Sequence, residues 1–127
     1  MPSHVLIIDD DRDICMVKKA QLELDGAFKV TVATEPRKGL KLARSKQPDL
    51  ILLDIMMPGK DGFEVLKELK NDIETTSIPV IMHTGVDENE SRQRAVELYN
   101  EDYVLKTADR ATLVAVITKA LARRTKY

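Results

Sequence analysis

Leu50-Ile51-Leu52-Leu53-Asp54 is a continuous apolar run that ends in an acid, and Ile55-Met56-Met57-Pro58-Gly59-Lys60-Asp61-Gly62 follows it as a turn. Four consecutive apolar residues bounded by turn residues predict a strand buried on both faces, as in a parallel sheet. A carboxylate at the carboxyl end of such a strand stands where open α/β sheets bind their ligands. Pro58 and Gly59 turn the chain away from the sheet, and a helical pattern begins after Gly62. Asp54 is thereby lifted to the rim of the sheet, with space cleared above it.

The same grammar repeats on either side. Val5-Leu6-Ile7-Ile8 is a second buried-strand pattern and ends in Asp9-Asp10-Asp11. Ile14, Val17, Ala20 and Leu24 recur at helical spacing, and Gly26 stops that helix. Phe28, Val30 and Val32 alternate with polar residues, as an edge strand does. Thr34 is the expected cap of the next helix, with Pro36 in its first turn and Leu40 and Ala43 on its buried face. Gln47-Pro48-Asp49 breaks that helix and delivers the chain to the Asp54 strand. Val65, Leu66 and Leu69 mark a third helix, and Asn71 to Ser77 reads as loop. Pro79-Val80-Ile81-Met82 is a fourth strand, running into His83-Thr84-Gly85. Asp87 with Glu90 resembles a capping box and opens a fourth helix through Ala95, Val96 and Tyr99. Tyr103-Val104-Leu105 is a short fifth strand ending at Lys106. Asp109 caps a last helix with Leu113, Val116, Ile117 and Ala120 inward.

Five alternations of strand and helix require a parallel sheet with helices on both faces and right-handed crossovers. The pattern leaves a Rossmann-like order and the flavodoxin-like order 2-1-3-4-5 in competition. In the second, the first and third strands are neighbours, and Asp9, Asp10 and Asp54 converge. At 127 residues the chain is read as one domain, 1–127, with a single core. With 20 basic against 21 acidic residues it lacks the basic stripe of a phosphate-backbone binder, so direct nucleic-acid binding is not expected. No apolar stretch approaches a membrane span, and the N-terminus lacks the charged and apolar regions of a signal peptide. The single cysteine, Cys15, fits a reducing cytoplasm and reads as a small apolar helix residue.

Three acids at neighbouring strand ends repel one another, and a hard divalent cation offsets that repulsion. Mg²⁺ keeps several waters and needs only one or two carboxylates, so Asp10 and Asp54 are expected to bind it directly and Asp9 through water. The backbone carbonyl of Met56 is the candidate for the protein's remaining ligand. Thr84 and Lys106 end the other two central strands at the same rim. A hydroxyl, an ammonium and a metal around a carboxylate make a site for phosphoryl transfer, with Asp54 as nucleophile and an aspartyl phosphate as product. Taken singly, each residue has a plainer reading. Asp54 could be a turn acid, Asp9 and Asp10 helix caps (Asp11 being the better cap), Thr84 a turn hydroxyl, Lys106 a solvated lysine and Tyr103 a core aromatic. His83, alternating with Thr84, is expected to face a helix, and His4 to lie at the surface; neither needs a metal role.

Taken together and in this order, Val5 to Asp11, Asp49 to Asp54 with Met57 to Gly62, Ile78 to Met82 with Thr84-Gly85, Asp102-Tyr103 and Lys106 resemble the receiver domain of bacterial two-component response regulators. The resemblance runs over essentially the full chain and selects the 2-1-3-4-5 order. It implies that Asp54 is the phosphoacceptor, with a sensor histidine kinase or phosphotransfer protein as donor. It implies that Asp9 and Asp10 are the metal-binding pair, that Thr84 is the switch hydroxyl and that Lys106 is the family's lysine. Tyr103 is then the switch aromatic, and the output face is the fourth helix, fifth strand and fifth helix, about Asp87 to Arg123. Such a module is not a turnover enzyme, although it catalyses its own Mg²⁺-dependent phosphorylation and dephosphorylation. Its downstream target is open, as is whether it acts alone or within a longer regulator.

Three departures from the family pattern stand out. The family usually has proline after the lysine, with a cis bond between them; here the next residue is Thr107. A cis bond before a non-proline residue costs about 2.5–4 kcal/mol, so Lys106–Thr107 is expected to be trans, or else cis with visible strain. Tyr99-Asn100 replaces a small pair after the fourth helix, leaving Asn100 to stop it. Met56 and Val86, both apolar, flank the path of an attacking water, which implies a long-lived phosphoryl group. Thr107 also keeps open a receiver-like binding module that does not switch by phosphorylation. A metal-dependent phosphatase is disfavoured, because Met56 stands where such enzymes need a second acid.

Overall fold

The computed structural model describes residues 2–59, 61–85 and 102–124. Five strands form one all-parallel sheet: β1 (Ser3–Ile8), β2 (Phe28–Ala33), β3 (Leu50–Asp54), β4 (Val80–Thr84) and β5 (Asp102–Leu105). Their order is β2-β1-β3-β4-β5, as expected. Helices α1 (Arg12–Glu23), α2 (Pro36–Lys46) and α3 (Gly62–Asn71), with a C-terminal helix (Arg110–Arg124), cover the sheet. The expected Asp87 cap, the fourth helix, and the roles given to Val86, Tyr99 and Asn100 lie outside the described residues.

Strand alternation divides the core into two layers. Leu6, Ile8, Ile51, Leu53, Val80 and Met82 pack with Leu40 and Ala43 of α2 and with Val65, Leu66 and Leu69 of α3. Val5, Ile7, Leu50, Leu52, Ile81 and Val104 pack with Cys15 and Leu22 of α1 and with Leu113, Ile117 and Ala120 of the C-terminal helix. Every residue of β3 is therefore buried, which is why its sequence is apolar without alternation. Gly39 is needed where α2 crosses β1: a Cβ there would stand 2.7 Å from Ile8 Cδ1.

Three local expectations are corrected. The buried face of α1 is Cys15, Lys18 and Leu22, while Val17 and Leu24 are exposed and Ile14 is half-buried. Both stripes have helical spacing, and only packing separates them. Lys18 buries its stem while its Nζ donates to the Ala108 carbonyl at 3.1 Å. The cap position of α2 is Glu35, not Thr34, and it makes no side-chain capping bond. Pro36 opens that helix and holds the preceding residue extended, so Glu35 occupies the junction at φ −130° and ψ 137°. Asp11 and Asp109 cap their helices as expected, accepting from the backbone N–H of Ile14 and Thr112; Asp61 caps α3 by accepting from the Glu64 N–H, and Gln47 ends α2 in the left-handed conformation. His4 is half-buried rather than superficial, its Nε2 2.7 Å from Thr31 Oγ1.

Candidate functional site

In the pleat, Asp9 lies two residues beyond Ile7, Asp54 two beyond Leu52, His83 two beyond Ile81 and Lys106 two beyond Val104. All four therefore continue the face covered by α1 and the C-terminal helix, at the carboxyl edge of the sheet. Pairing of β1 with β3 and of β3 with β4 sets them side by side, with Asp54 opposite His83.

Asp9 and Asp54 are 0% and 2% exposed, whereas Asp10 is exposed. Carboxylate oxygens of these three residues all lie within 4.8 Å of one another. Asp9 Oδ1 accepts from the Asp11 N–H at 2.9 Å, and Asp54 Oδ1 from the Met56 N–H at 3.3 Å. Lys106 Nζ bridges the two buried acids, 3.0 Å from Asp9 Oδ2 and 3.2 Å from Asp54 Oδ1. Among the described residues neither Asp54 Oδ2 nor Asp9 Oδ2 has a hydrogen-bond partner, although Asp9 Oδ2 has its ion pair with Lys106. An all-oxygen cluster with buried oxygens left without hydrogen bonds fits a hard divalent cation, so this set could hold a metal ion.

Burial first, and the charge of Asp9 second, push the Asp54 carboxyl up to about 7, against the pull of Lys106 and of the Met56 N–H. Lys106 loses hydration, which alone would lower it, but Asp9 and Asp54 outweigh that loss and the ammonium ends above its ordinary range. A cation at the site favours the ionised form of Asp54.

The turn after Asp54 is built to stay clear of it. Gly59 has φ +79°, and the Gly62 N–H donates to the Ile55 carbonyl at 2.7 Å. A Cβ on Gly62 would meet the Asp54 carbonyl oxygen at 2.3 Å, so α3 begins pressed against the strand end. Met56 is 68% exposed above the site.

Among the remaining candidates, Thr84 is the last residue of β4, opposite Leu105; its side chain lies outside the described residues. Tyr103 is half-buried on β5 and packs on the α2–α3 layer. No cis peptide bond occurs among the described residues, so Lys106–Thr107 is trans, as expected, and Lys106 nonetheless reaches both acids.

Sequence reasoning missed three supports. Cys15 Sγ donates to the Asp9 carbonyl at 3.3 Å, tying the rim to α1; burial pushes its thiol up to about 12. Lys18 holds the loop after Lys106 through Ala108. His83 is fully buried with Nδ1 3.8 Å from Asp9 Oδ2, and neither ring nitrogen has a hydrogen-bond partner among the described residues. Burial, with the charges of Lys18 and Lys106, lowers it to about 3, so the ring is neutral. Its spacing from Ile81 carried the signal that would have placed it beside Asp54.

No described helix is long and apolar enough to cross a membrane. A family model for the response regulator receiver domain matches residues 5–118. The chain is 39% identical over 122 residues to the DNA-binding dual master transcriptional regulator RpaA of Synechocystis, covering 96% of this chain and 50% of that protein. It is 36% identical over 120 residues to Protein PilH of Pseudomonas aeruginosa, covering 94% of this chain and 98% of that one. It thus spans about half of one such relative and nearly all of the other. Among solved structures, a CheY-like receiver domain protein from Methanospirillum hungatei superposes with a TM-score of 0.88 at 26% identity, over 99% of this chain and 98% of that one. A response regulator structure from Chloroflexus aurantiacus gives 0.89 at 25% identity, over 96% and 99%.

Proposed function

The chain belongs to the response regulator receiver domains, and from that premise we propose that Asp54 takes a phosphoryl group from a sensor histidine kinase or phosphotransfer protein. Receiver domains are signal transducers that act with such donors, not turnover enzymes. The observation that carries the reading is the bare Oδ2 of a buried Asp54 whose other oxygen is held by Lys106 and Met56.

Oδ2 attacks phosphorus in line. The new O–P bond forms as the P–N bond to the donor imidazole breaks, and the electron pair leaves on that nitrogen. Lys106, 3.2 Å from Asp54, offsets charge on the transferring oxygens. Asp9, Asp10, Asp54 and the Met56 carbonyl are the groups that would hold Mg²⁺, which when bound supplies further charge neutralisation. Thr84 donates a hydrogen bond from its hydroxyl to the phosphoryl group, and Tyr103, on the neighbouring strand, follows that movement. The populations of the output face, about Asp87 to Arg123, shift with it. The protein works in the cytoplasm and does not itself bind nucleic acid.

Acetyl phosphate with Mg²⁺, followed by intact mass, tests this. One phosphoryl group is expected on the wild-type chain and none on Asp54→Asn. A folded wild-type chain that stays at its starting mass would instead be a receiver-like binding module.

A further inference from the structure

We infer that His83 is a positioning residue for Asp9, its ring N–H at Nδ1 being the donor that holds Asp9 Oδ2 once Lys106 turns toward a phosphoryl group. The inference rests on the phosphoacceptor reading above.

A fully buried imidazole with no hydrogen-bond partner among the described residues is costly where a leucine would be cheap. The strand is otherwise apolar at this depth: Ile81 and Met82 precede the ring and are 0% exposed. Its Nδ1 lies 3.8 Å from Asp9 Oδ2, about 0.8 Å beyond ordinary hydrogen-bond length, a gap that a small turn of ring or carboxylate closes. An imidazole can carry an N–H at Nδ1, the ring atom on the side of the Asp9 carboxylate.

Asp9 needs such a donor. Its Oδ1 is already taken by the Asp11 N–H, while Oδ2 depends on an ammonium shared with Asp54. When that ammonium serves incoming phosphoryl oxygens, Oδ2 is left with the imidazole. An N–H at Nδ1 fixes the direction of the carboxylate that helps to bind the divalent ion.

Calorimetric titration with MgCl₂ in the presence of beryllofluoride, which occupies the phosphoryl position and engages Lys106, compares wild type, His83→Leu and His83→Asn, the last placing an amide N–H near the position of Nδ1. The leucine variant is expected to bind Mg²⁺ about tenfold more weakly. The asparagine variant should recover most of that loss. Unchanged affinity in the leucine variant, or equal losses in both, overturns the inference. Long-range ¹H–¹⁵N spectra of the wild type with Mg²⁺ and beryllofluoride need no variant: a proton on Nδ1 supports the assignment, and one on Nε2 defeats it. A wild type that binds no Mg²⁺ at all brings down the phosphoacceptor reading and this inference with it; a binding wild type with an indifferent leucine variant brings down the inference alone.

Discussion

Two buried residues at the rim give the protein opposing responses to pH. Asp54, pushed up to about 7, keeps a proton in the folded state that the unfolded chain loses near 4. Its contribution to stability therefore falls as pH rises from about 4 to about 7. His83, lowered to about 3, does the reverse: it stabilises above about 6.5 and the benefit is lost as pH falls toward 3. Asp54→Asn removes only the first slope. In metal-free buffer the variant should be more stable than wild type at pH 8, by about 1–2 kcal/mol after allowing for solvent near the rim. Urea unfolding at pH 8 and pH 4 should show the gap nearly closed at the lower pH; an equal gap at both would contradict the assignment. Cys15, fully buried with its thiol raised to about 12, should resist iodoacetamide in native buffer and react in urea, which mass spectrometry reads directly.

At the scale of elements, the site depends on where helices begin. Helix α3 starts so close to β3 that a Cβ at Gly62 would overlap the Asp54 backbone carbonyl, an atom with no rotamer in which to escape. Gly62→Ala should cost about 2–4 kcal/mol and weaken Mg²⁺ binding, since the strain falls on Asp54 itself. Equilibrium unfolding beside a magnesium titration checks both. Helix α1 acts at the other side of the rim, through Cys15 to Asp9 and Lys18 to Ala108. Lys18→Met keeps the packed stem and removes the bond to the Lys106 loop. It should slow phosphorylation by acetyl phosphate several-fold while leaving stability within about 1.5 kcal/mol.

Across the whole molecule, the sheet gathers negative charge from distant parts of the chain, and among the described residues Lys106 bridges its two buried acids. A divalent cation held there would stabilise the fold. A ligand that binds only the native state stabilises it by about 2.7 kcal/mol at a hundredfold excess over Kd. Mg²⁺ at such a concentration should raise Tm by roughly 10 °C in a domain of this size. The rise should shrink or vanish in Asp54→Asn. Scanning calorimetry with and without MgCl₂ decides this, and an equal rise in wild type and variant would point to a cation site elsewhere.

Strand patterns and turn glycines were enough to place β1 to β5 and the sheet's class, while the convergence of Asp9, Asp54 and Lys106 followed only from the strand order that the resemblance to receiver domains selected. These features are local: an apolar run needs two covered faces, and its terminal residue must emerge at an edge. Tertiary structure alone decided which stripe of α1 faces inward, because two stripes share the same period and only packing against the Lys106 loop separates them. It alone decided that Glu35, not Thr34, takes the junction before Pro36. It also decided that His83 is a neighbour of Asp9, since their meeting depends on pairing across three strands that no stretch of sequence encodes by itself.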